Sequence, residues 1–279
     1  MPQRVALNYQ EPPAAGKRNG RYINRPDEGD VEDLHLARQV RMHDGRELVP
    51  EATLERKGFE LRSWPTALAE VDLRDEAKVA ASYYPEVEAL LREATGAQQV
   101  IIFDHTIRET GNTNLNAAAG GSAAPVPRVH CDYTAEGAPR RLRQFGQEGK
   151  LLTEAEVAAL GSGRFAFINV WRSICDAHPV LQQPLAVCDE ASVGDSERFK
   201  YELIFPDRIG ENYSLRHSDG HMWYYYPRMG KDECLMFKVY DKEEGRGPRF
   251  VFHTAFDDPA SPRDPPPRKS IEARAIVFY

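Results

Sequence analysis

The chain has 279 residues and a formal net charge of −7, a length that suits one large barrel domain with extensions or two small domains. Its charges are dispersed and form no basic stripe, which argues against a nucleic-acid partner, and no apolar run approaches the roughly 18 residues needed to cross a bilayer. The N-terminus lacks the apolar core of a signal peptide. We therefore expect a soluble, cytoplasmic protein that does not bind a membrane; the sequence leaves a homo-oligomer open.

The first 60 residues are polar, rich in Pro, Arg, Asp and Glu, and only partly periodic. They predict an irregular N-terminal arm, with a short helix within 30–40, and residues 61–279 are expected to form the main domain. The apolar spacing over 75–94 is helical, with a break at Pro85. A buried strand is expected at 98–103.

The central part of the chain alternates between strands and turns. Residues 111–127, rich in Asn, Ala, Gly and Pro, predict a mobile loop. Thr153 and Glu156 form a capping box, so a helix should begin there. Further strands are expected at 165–172, 201–205, 222–226, 233–239, 250–256 and 270–279. Short strands at this spacing favour a barrel or sandwich.

Three side chains can form a metal site. His130 and Asp132 stand at positions i and i+2 of a strand, so both point to one face. His253, on a later strand, would add a second imidazole, and two histidines with one carboxylate are typical of non-haem Fe(II) oxygenases. A His-x-Asp pair alone is weak, because chance produces it in many chains. The chain order strengthens it: the pair, a distal histidine and then Arg268 follow the order of a double-stranded β-helix oxygenase that uses 2-oxoglutarate.

Other histidines compete for the third ligand position. His217 and His221 flank a Ser-Asp-Gly turn, and no arginine follows them as Arg268 follows His253. We interpret His221 as pocket wall or core, and His105 as a structural hydrogen-bonding residue. A strand histidine among Val, Phe and Ala is often a packed core residue, but the chain order favours His253.

An arginine near the C-terminus can hold the co-substrate. A guanidinium binds a carboxylate bidentately, and a hydroxyl two residues on can join it, which favours Arg268 with Ser270 as the 2-oxoglutarate anchor. Arg274 is the alternative, although we expect it to pair with Glu272. Arg263 lies in a proline-rich loop and should be solvated.

Aromatic and apolar side chains are expected to line the substrate pocket. The strand end Asn169-Val-Trp171-Arg172 fits either a packed tryptophan with a salt-bridged arginine or a pocket wall. The lining suits a compact, mostly apolar metabolite with one or two oxygen atoms. The candidates are Tyr133, Asn169, Trp171, Arg172, Trp223 and Tyr224, with Arg172 as the polar anchor.

With these residues in view, the chain resembles the fungal hydroxylase/desaturase family, which groups with gibberellin A4 desaturase and the accessory component of the cephamycin 7α-methoxylase. The matching stretches run from about residue 100 to the C-terminus. They are Phe-Asp104-His105-Thr106-Ile-Arg108, Val-His130-Cys-Asp132-Tyr133-Thr134, Asn169-Val-Trp171-Arg172, Pro184-Leu-Ala-Val-Cys-Asp189, Trp223-Tyr-Tyr, Lys238-Val-Tyr240-Asp241, Phe-His253-Thr-Ala-Phe256 and Pro-Arg268-Lys-Ser270-Ile-Glu272-Ala-Arg274.

The resemblance implies a mainly β, double-stranded β-helix (jelly-roll, cupin-like) core with flanking helices. It also implies Fe(II), 2-oxoglutarate and O2, and oxidation of a small specialised metabolite with release of succinate and CO2. Hydroxylation and desaturation both stay open, because the outcome depends on how the substrate is placed. Two alternatives remain at this point: a redox-neutral or non-catalytic cupin-like binding protein, which would not need Arg268, and an accessory component that acts only beside a partner oxygenase.

Overall fold

The computed structural model describes residues 2–113 and 121–279. The strands are β1 (Gln3–Gln10), β2 (Arg18–Tyr22), β3 (Val31–Glu32), β4 (His35–Asp44), β5 (Phe59–Ser63), β6 (Gln99–Glu109), β7 (Ser122–Ala123), β8 (His130–Cys131), β9 (Phe165–Ser173), β10 (Leu185–Cys188), β11 (Arg198–Ile204), β12 (Ile209–Leu215), β13 (Trp223–Tyr225), β14 (Glu233–Asp241), β15 (His253–Ala255) and β16 (Lys269–Phe278). The helices are α1 (Glu76–Lys78), α2 (Tyr84–Thr95), α3 (Gly137–Glu148) and α4 (Glu154–Ser162). None of the described helices is long and apolar enough to cross a membrane.

The strands form two sheets that share one core. The larger sheet has the order β1-β4-β13-β10-β15-β8-β12-β11-β2-β3, and the smaller has the order β5-β14-β9-β16-β6-β7. Val187 of the larger sheet and Phe167 of the smaller sheet belong to the same buried cluster. The rings of His253 and Phe237, one from each sheet, lie 4.7 Å apart. The predicted double-stranded β-helix fold is confirmed.

Strand β9 is buried on both faces. Phe167 and Trp171 belong to the core between the sheets. Ile168 and Val170 alternate with them and pack with Leu90 of α2 in a second core. Burial on both sides explains the unbroken apolar run of this strand. It also means that neighbouring residues of β9 face different compartments.

The N-terminal residues are more regular than predicted. β1 pairs antiparallel with β4 from Gln3↔Met42 to Gln10↔His35, and β4 continues the larger sheet by pairing with β13. Val5, Leu7 and Tyr9 are buried in alternation, the period of a strand. The expectation of an irregular arm is therefore wrong, and so is the helix predicted within 30–40. The division of the chain at residue 60 stays a prediction.

The helices follow the sequence signals where these were strong. The helix predicted over 75–94 forms as α1, a π-helical turn (Val79–Tyr83) and α2, so the break stands beside Pro85. Gly96, with a φ of 66°, ends α2 in the left-handed conformation. The capping box of Thr153 and Glu156 begins α4 as predicted.

Part of the loop expected over 111–127, residues 114–120, lies outside the described residues. On its described side, β7 pairs in parallel with β6. The elements without a prediction include α3, β10 and β12. Helix α3 contains Gly137 and Pro139 in its first turn, and glycine and proline so close together favour a turn when only the sequence is considered.

Candidate metal centre

Two neighbouring strands of the larger sheet bring the predicted metal ligands together. His130 of β8 and His253 of β15 are register partners, with ring centroids 4.3 Å apart. Asp132 follows β8 directly, and its Oδ1 lies 3.5 Å from His130 Nε2 and 3.8 Å from His253 Nε2. The ligand atoms of the three residues all lie within 4.8 Å of one another. Because they converge on one point from one side, these residues can bind iron.

Backbone carbonyls orient both imidazoles. His130 Nδ1 lies 2.8 Å from the Arg128 carbonyl oxygen, and His253 Nδ1 lies 3.2 Å from that of Val251. A carbonyl oxygen only accepts, so each Nδ1 carries the proton and donates it. The unprotonated Nε2 atoms then face Asp132 and are free to ligate.

The carboxylate is oriented from the smaller sheet. Asn169 Nδ2 of β9 donates to Asp132 Oδ2 at 2.8 Å, which leaves Oδ1 toward the histidines. Burial alone would raise the pKa of Asp132, but His253, His130, Arg274 and the Asn169 amide together lower it to about 2. Burial and the neighbouring His253 lower the pKa of His130 well below its usual range. Both groups are thus in the protonation states that a metal requires.

Arg268 is buried beside this centre, with an exposed fraction of 2%. Its Nε donates to Ser270 Oγ at 3.1 Å and its Nη1 to the Gln183 carbonyl oxygen at 2.5 Å. The guanidinium carbon lies 5.1 Å from the centre of the Trp171 ring. Burial and the nearby Arg108 lower the pKa of Arg268 to about 9. These partners are neutral, so the charge of Arg268 would be stabilised by an anionic ligand.

Arg274, the other candidate anchor, already has an acidic partner. Its Nε donates to Asp104 Oδ1 at 2.5 Å and its Nη2 to Thr106 Oγ1 at 3.0 Å. The predicted pairing with Glu272 is therefore wrong. The register of β16 against β6 places Arg274 directly opposite Asp104, which accounts for the difference.

The competing histidines have other hydrogen-bond or ring partners. His221 Nδ1 lies 3.0 Å from the Tyr9 hydroxyl and His221 Nε2 lies 3.0 Å from a Glu197 carboxylate oxygen. His217 packs edge-on against the Tyr9 ring, and His105 Nδ1 lies 2.9 Å from the Tyr84 hydroxyl. Among the described residues, none of these three histidines joins the group that can hold a metal.

A cavity of about 270 Å³ opens beside His130 and Asp132. A smaller cavity shares these two residues and adds His253 and Arg268. The aromatic wall of the larger cavity includes Tyr133, whose ring lies 4.6 Å from that of Phe167. Seven arginines line the larger cavity: Arg21, Arg108, Arg128, Arg140, Arg141, Arg208 and Arg274. This basic lining differs from the aromatic and apolar lining predicted from the sequence.

Five of the six predicted pocket residues do not line these cavities. Asn169 and Trp171 contact Asp132 and Arg268, which do line them. The other three lie elsewhere. Arg172 donates to the Trp64 carbonyl oxygen and the Cys234 sulfur on the α2 side of the smaller sheet, so its prediction as polar anchor is wrong. It follows Trp171 by one residue and therefore faces the opposite way. The Trp223 indole Nε1 donates to the Tyr9 hydroxyl at 2.7 Å, away from the cavity.

Tyr224 is the third of these residues. Its ring packs in the core at 5.8 Å from that of Phe59 and 5.5 Å from that of His43. The prediction that it lines the pocket is wrong as well. The two β13 residues fill packed positions because that strand lies between β4 and β10, away from the open side of the metal ligands.

The structure also places Arg128, which has no predicted role from the sequence, on the cavity wall. It is 7% exposed, and its guanidinium carbon lies 4.3 Å from the centre of the Tyr201 ring. The sequence does contain a signal for it. Arg128, His130 and Asp132 alternate in Arg-x-His-x-Asp, which on an extended chain puts all three side chains on one face.

Comparisons with known proteins identify relatives of this chain. A family model described as "Oxidoreductase/YMDC permease-like domain" matches residues 7–278. The hydroxylase/desaturase efuI of Hormonema carpetanum is 31% identical over 264 residues, covering 86% of this chain and 83% of that protein. The Fe(II)/2-oxoglutarate-dependent dioxygenase nvfI of Aspergillus novofumigatus is 32% identical over 245 residues, covering 86% and 83%.

A solved structure shares the whole fold. The iron and alpha-ketoglutarate-dependent endoperoxidase NvfI matches this chain with a TM-score of 0.82 and 26% identity, covering 100% of this chain and 98% of that one. The sequence relatives, the shared fold and the convergent histidines and carboxylate lead to one assignment. The chain belongs to the fungal hydroxylase/desaturase family of Fe(II)/2-oxoglutarate-dependent dioxygenases.

Proposed function

We propose that this dioxygenase hydroxylates or desaturates a small specialised metabolite, with iron on His130, Asp132 and His253 and 2-oxoglutarate on Arg268 and Ser270. The observation that carries the proposal is the placement of a buried guanidinium with neutral partners in a cavity that also holds the three metal ligands. When bound, the iron supplies the oxidation of a C–H bond by O2, coupled to conversion of 2-oxoglutarate to succinate and CO2.

The protein's own residues position that chemistry. The Arg128 and Val251 carbonyls fix the two imidazoles, and the Asn169 amide fixes the carboxylate. Such outer hydrogen bonds hold the ligands in one geometry before the metal arrives. The two histidines are register partners on neighbouring strands, so sheet register sets their spacing, and Asp132 is the residue directly after β8.

The co-substrate end of the site is built on β16 and β9. Arg268 offers a planar fork, and the Ser270 hydroxyl lies 3.1 Å from its Nε. Trp171 forms the floor beneath the guanidinium, and its indole Nε1 is a buried donor without a hydrogen-bond partner in the described part of the chain. A bound carboxylate would accept from these donors, which supports this end as the 2-oxoglutarate site. A redox-neutral protein would not need such an anion site beside its metal.

The larger cavity supports a small-molecule substrate. Its volume of about 270 Å³ is close to the lower end, about 300 Å³, of small-molecule pockets. Its lining includes His130, Asp132 and Tyr133. A substrate held there would present a C–H bond to the metal while the co-substrate occupies the Arg268 side.

The test is oxidation of a panel of candidate metabolites by the Fe(II)-loaded protein, with succinate and product mass both recorded. Products that gain one oxygen atom or lose two hydrogen atoms support the proposal. The Asp132→Ala protein serves as the control without a complete metal site. Robust turnover of a protein side chain or a nucleobase, with no small-molecule product, would overturn it.

A further inference from the structure

One guanidinium on the wall of the larger cavity lacks the partners that a buried charge requires. Arg128 is 7% exposed, and its Nε and Nη1 atoms are buried without a hydrogen-bond partner among residues 2–113 and 121–279. In the described part of the chain, no carboxylate oxygen lies within 4.0 Å of an Arg128 side-chain nitrogen, the distance that defines an ion pair. The Tyr201 ring covers one face of the guanidinium, at 4.3 Å from its carbon to the ring centre, and a ring contact of this kind does not use the Nε and Nη1 protons. An unpaired buried charge is costly to the fold unless a ligand completes it.

Arg128 lies next to the metal ligands because it precedes His130 by two residues. Its backbone carbonyl holds His130 Nδ1 at 2.8 Å, and its side chain lines the cavity that His130 and Asp132 also line. Two residues along an extended chain span about 7 Å. A group held by Arg128 would therefore lie within one small molecule's length of the metal.

Arg21 of β2 adds a second positive charge at the same place. It lines the same cavity, and its Nε is also buried without a partner in the described residues. The nearby Asp33 pairs with His35 Nδ1 at 3.3 Å rather than with either arginine.

The other arginines of the cavity have ion-pair or hydrogen-bond partners in the protein. Arg274 pairs with Asp104, and Arg140 pairs with Glu211 at 3.1 Å. The remaining three also have polar partners: Arg141 binds Glu148, Arg208 lies near Asp207, and Arg108 donates to the Ala124 carbonyl oxygen. Within the described lining, Arg128 and Arg21 are therefore the arginines with buried nitrogen atoms that lack a hydrogen-bond partner.

We propose that the substrate carries a carboxylate, which Arg128 binds bidentately with Arg21 as a second donor. The proposal rests on the proposed function, because the cavity is its substrate site. An arginine fork fits the planar geometry of a carboxylate and fixes its direction. Anchoring one end of the substrate in this way determines which C–H bond faces the metal. Arg268, in the adjoining cavity, remains the anchor for 2-oxoglutarate.

The direct test is a binding measurement that needs no turnover. We would titrate 4-fluorobenzoate and the uncharged 4-fluorobenzamide into the anaerobic Fe(II) protein, saturated with 2-oxoglutarate, and follow the fluorine NMR signal. The wild type should bind the acid at least about tenfold more tightly than the amide. This ratio corresponds to the free energy that one hydrogen bond to a charged group contributes. Arg128→Gln should remove that preference and Arg128→Lys should keep part of it. Arg46→Gln, which removes an exposed arginine paired with Glu233, should keep all of it.

Several results would overturn the proposal. These are equal binding of acid and amide by the wild type, an acid preference that survives in Arg128→Gln, or an affinity for the acid that falls when the titration is repeated at a higher 2-oxoglutarate concentration. Thermal unfolding separates a structural role from a binding role. Arg128→Gln removes a buried charge without a counterion, so its unfolding midpoint should equal or exceed that of the wild type; a lower midpoint together with lost binding would count against the proposal.

Turnover then distinguishes the two proposals. Carboxylic acids of the metabolite panel should be oxidised in preference to their methyl esters, and Arg128→Gln should lower kcat/KM for the acids without changing KM for 2-oxoglutarate. If acids bind through Arg128 but no metabolite is oxidised, the proposed function fails and the anion site stands. If metabolites are oxidised with no acid preference, the proposed function stands and the anion site fails.

Discussion

Arg268→Lys is the substitution that separates co-substrate binding from metal binding. The arginine is buried and is positioned by Ser270 and the Gln183 carbonyl oxygen, above the Trp171 ring. Lysine retains the charge but presents a single point of donation in place of a fork. The metal ligands are not in hydrogen-bond contact with Arg268, so iron affinity should be unchanged.

The magnitude follows from the lost contacts. A hydrogen bond to a charged group contributes about 1.5–3 kcal/mol, and the packing of the cation on an indole contributes about 0.5–1 kcal/mol more. Loss of one of two carboxylate bonds and of this packing costs about 2–4 kcal/mol. At about 1.4 kcal/mol per factor of ten, KM for 2-oxoglutarate should rise about 30- to 700-fold.

The assay is succinate release at increasing 2-oxoglutarate, beside an iron titration of the same protein. Arg274→Lys is the matched control, because Arg274 is already paired with Asp104. It should leave KM for 2-oxoglutarate nearly unchanged. If Arg274→Lys raises that KM and Arg268→Lys does not, the assignment of the co-substrate anchor is refuted.

Four further outcomes are expected. His253→Ala should abolish iron binding in a metal titration, whereas His221→Ala should retain it, because His221 is held by Tyr9 and Glu197. Asn169→Ala should weaken iron affinity about 10- to 100-fold, because the carboxylate ligand loses its 2.8 Å hydrogen bond. Arg172→Met should lower the free energy of unfolding in denaturant by about 1–3 kcal/mol by leaving a backbone carbonyl unpaired, with KM for 2-oxoglutarate unchanged. Saturation with 2-oxoglutarate at about 100 times its Kd should stabilise the wild type by about 2.7 kcal/mol, and an equal concentration should stabilise Arg268→Lys much less.

Each of these has a contrary result. Iron binding by His253→Ala together with its loss in His221→Ala would move the third ligand. Unchanged iron affinity in Asn169→Ala would show that the amide does not orient the carboxylate. A raised KM for 2-oxoglutarate in Arg172→Met would place that arginine at the site after all, and equal stabilisation of wild type and Arg268→Lys would place the co-substrate elsewhere.

Local periodicity made much of the site predictable. His130 and Asp132 share a strand face by their spacing alone, and Arg268 and Ser270 do so on the last strand. The spacing places these side chains correctly although Asp132 lies just after β8 and Arg268 just before β16. The position of His253 opposite His130 needs the sheet register, which chain order can suggest but not fix.

The remainder depends on contacts between distant parts of the chain. Arg172 lies on the face of β9 that α2 covers, and nothing in its own strand shows which face that is. The N-terminal strand β1 is alternating but polar outside, and it becomes a strand by pairing with β4. Arg128 has a local signal, but the sequence does not show that its buried Nε and Nη1 lack a partner in the described part of the chain or that Tyr201 of another strand packs on it.

The central claim is that His130, Asp132 and His253 hold the iron that drives 2-oxoglutarate turnover. The most direct measurement is succinate formed from 2-oxoglutarate by the wild type and by Asp132→Ala, with Fe(II) and O2 present or withheld. We predict that the wild type forms succinate only when iron, O2 and 2-oxoglutarate are all present, and that Asp132→Ala forms none under any condition. Equal succinate formation by the two proteins, or none by an iron-loaded wild type with its substrate present, would contradict the claim.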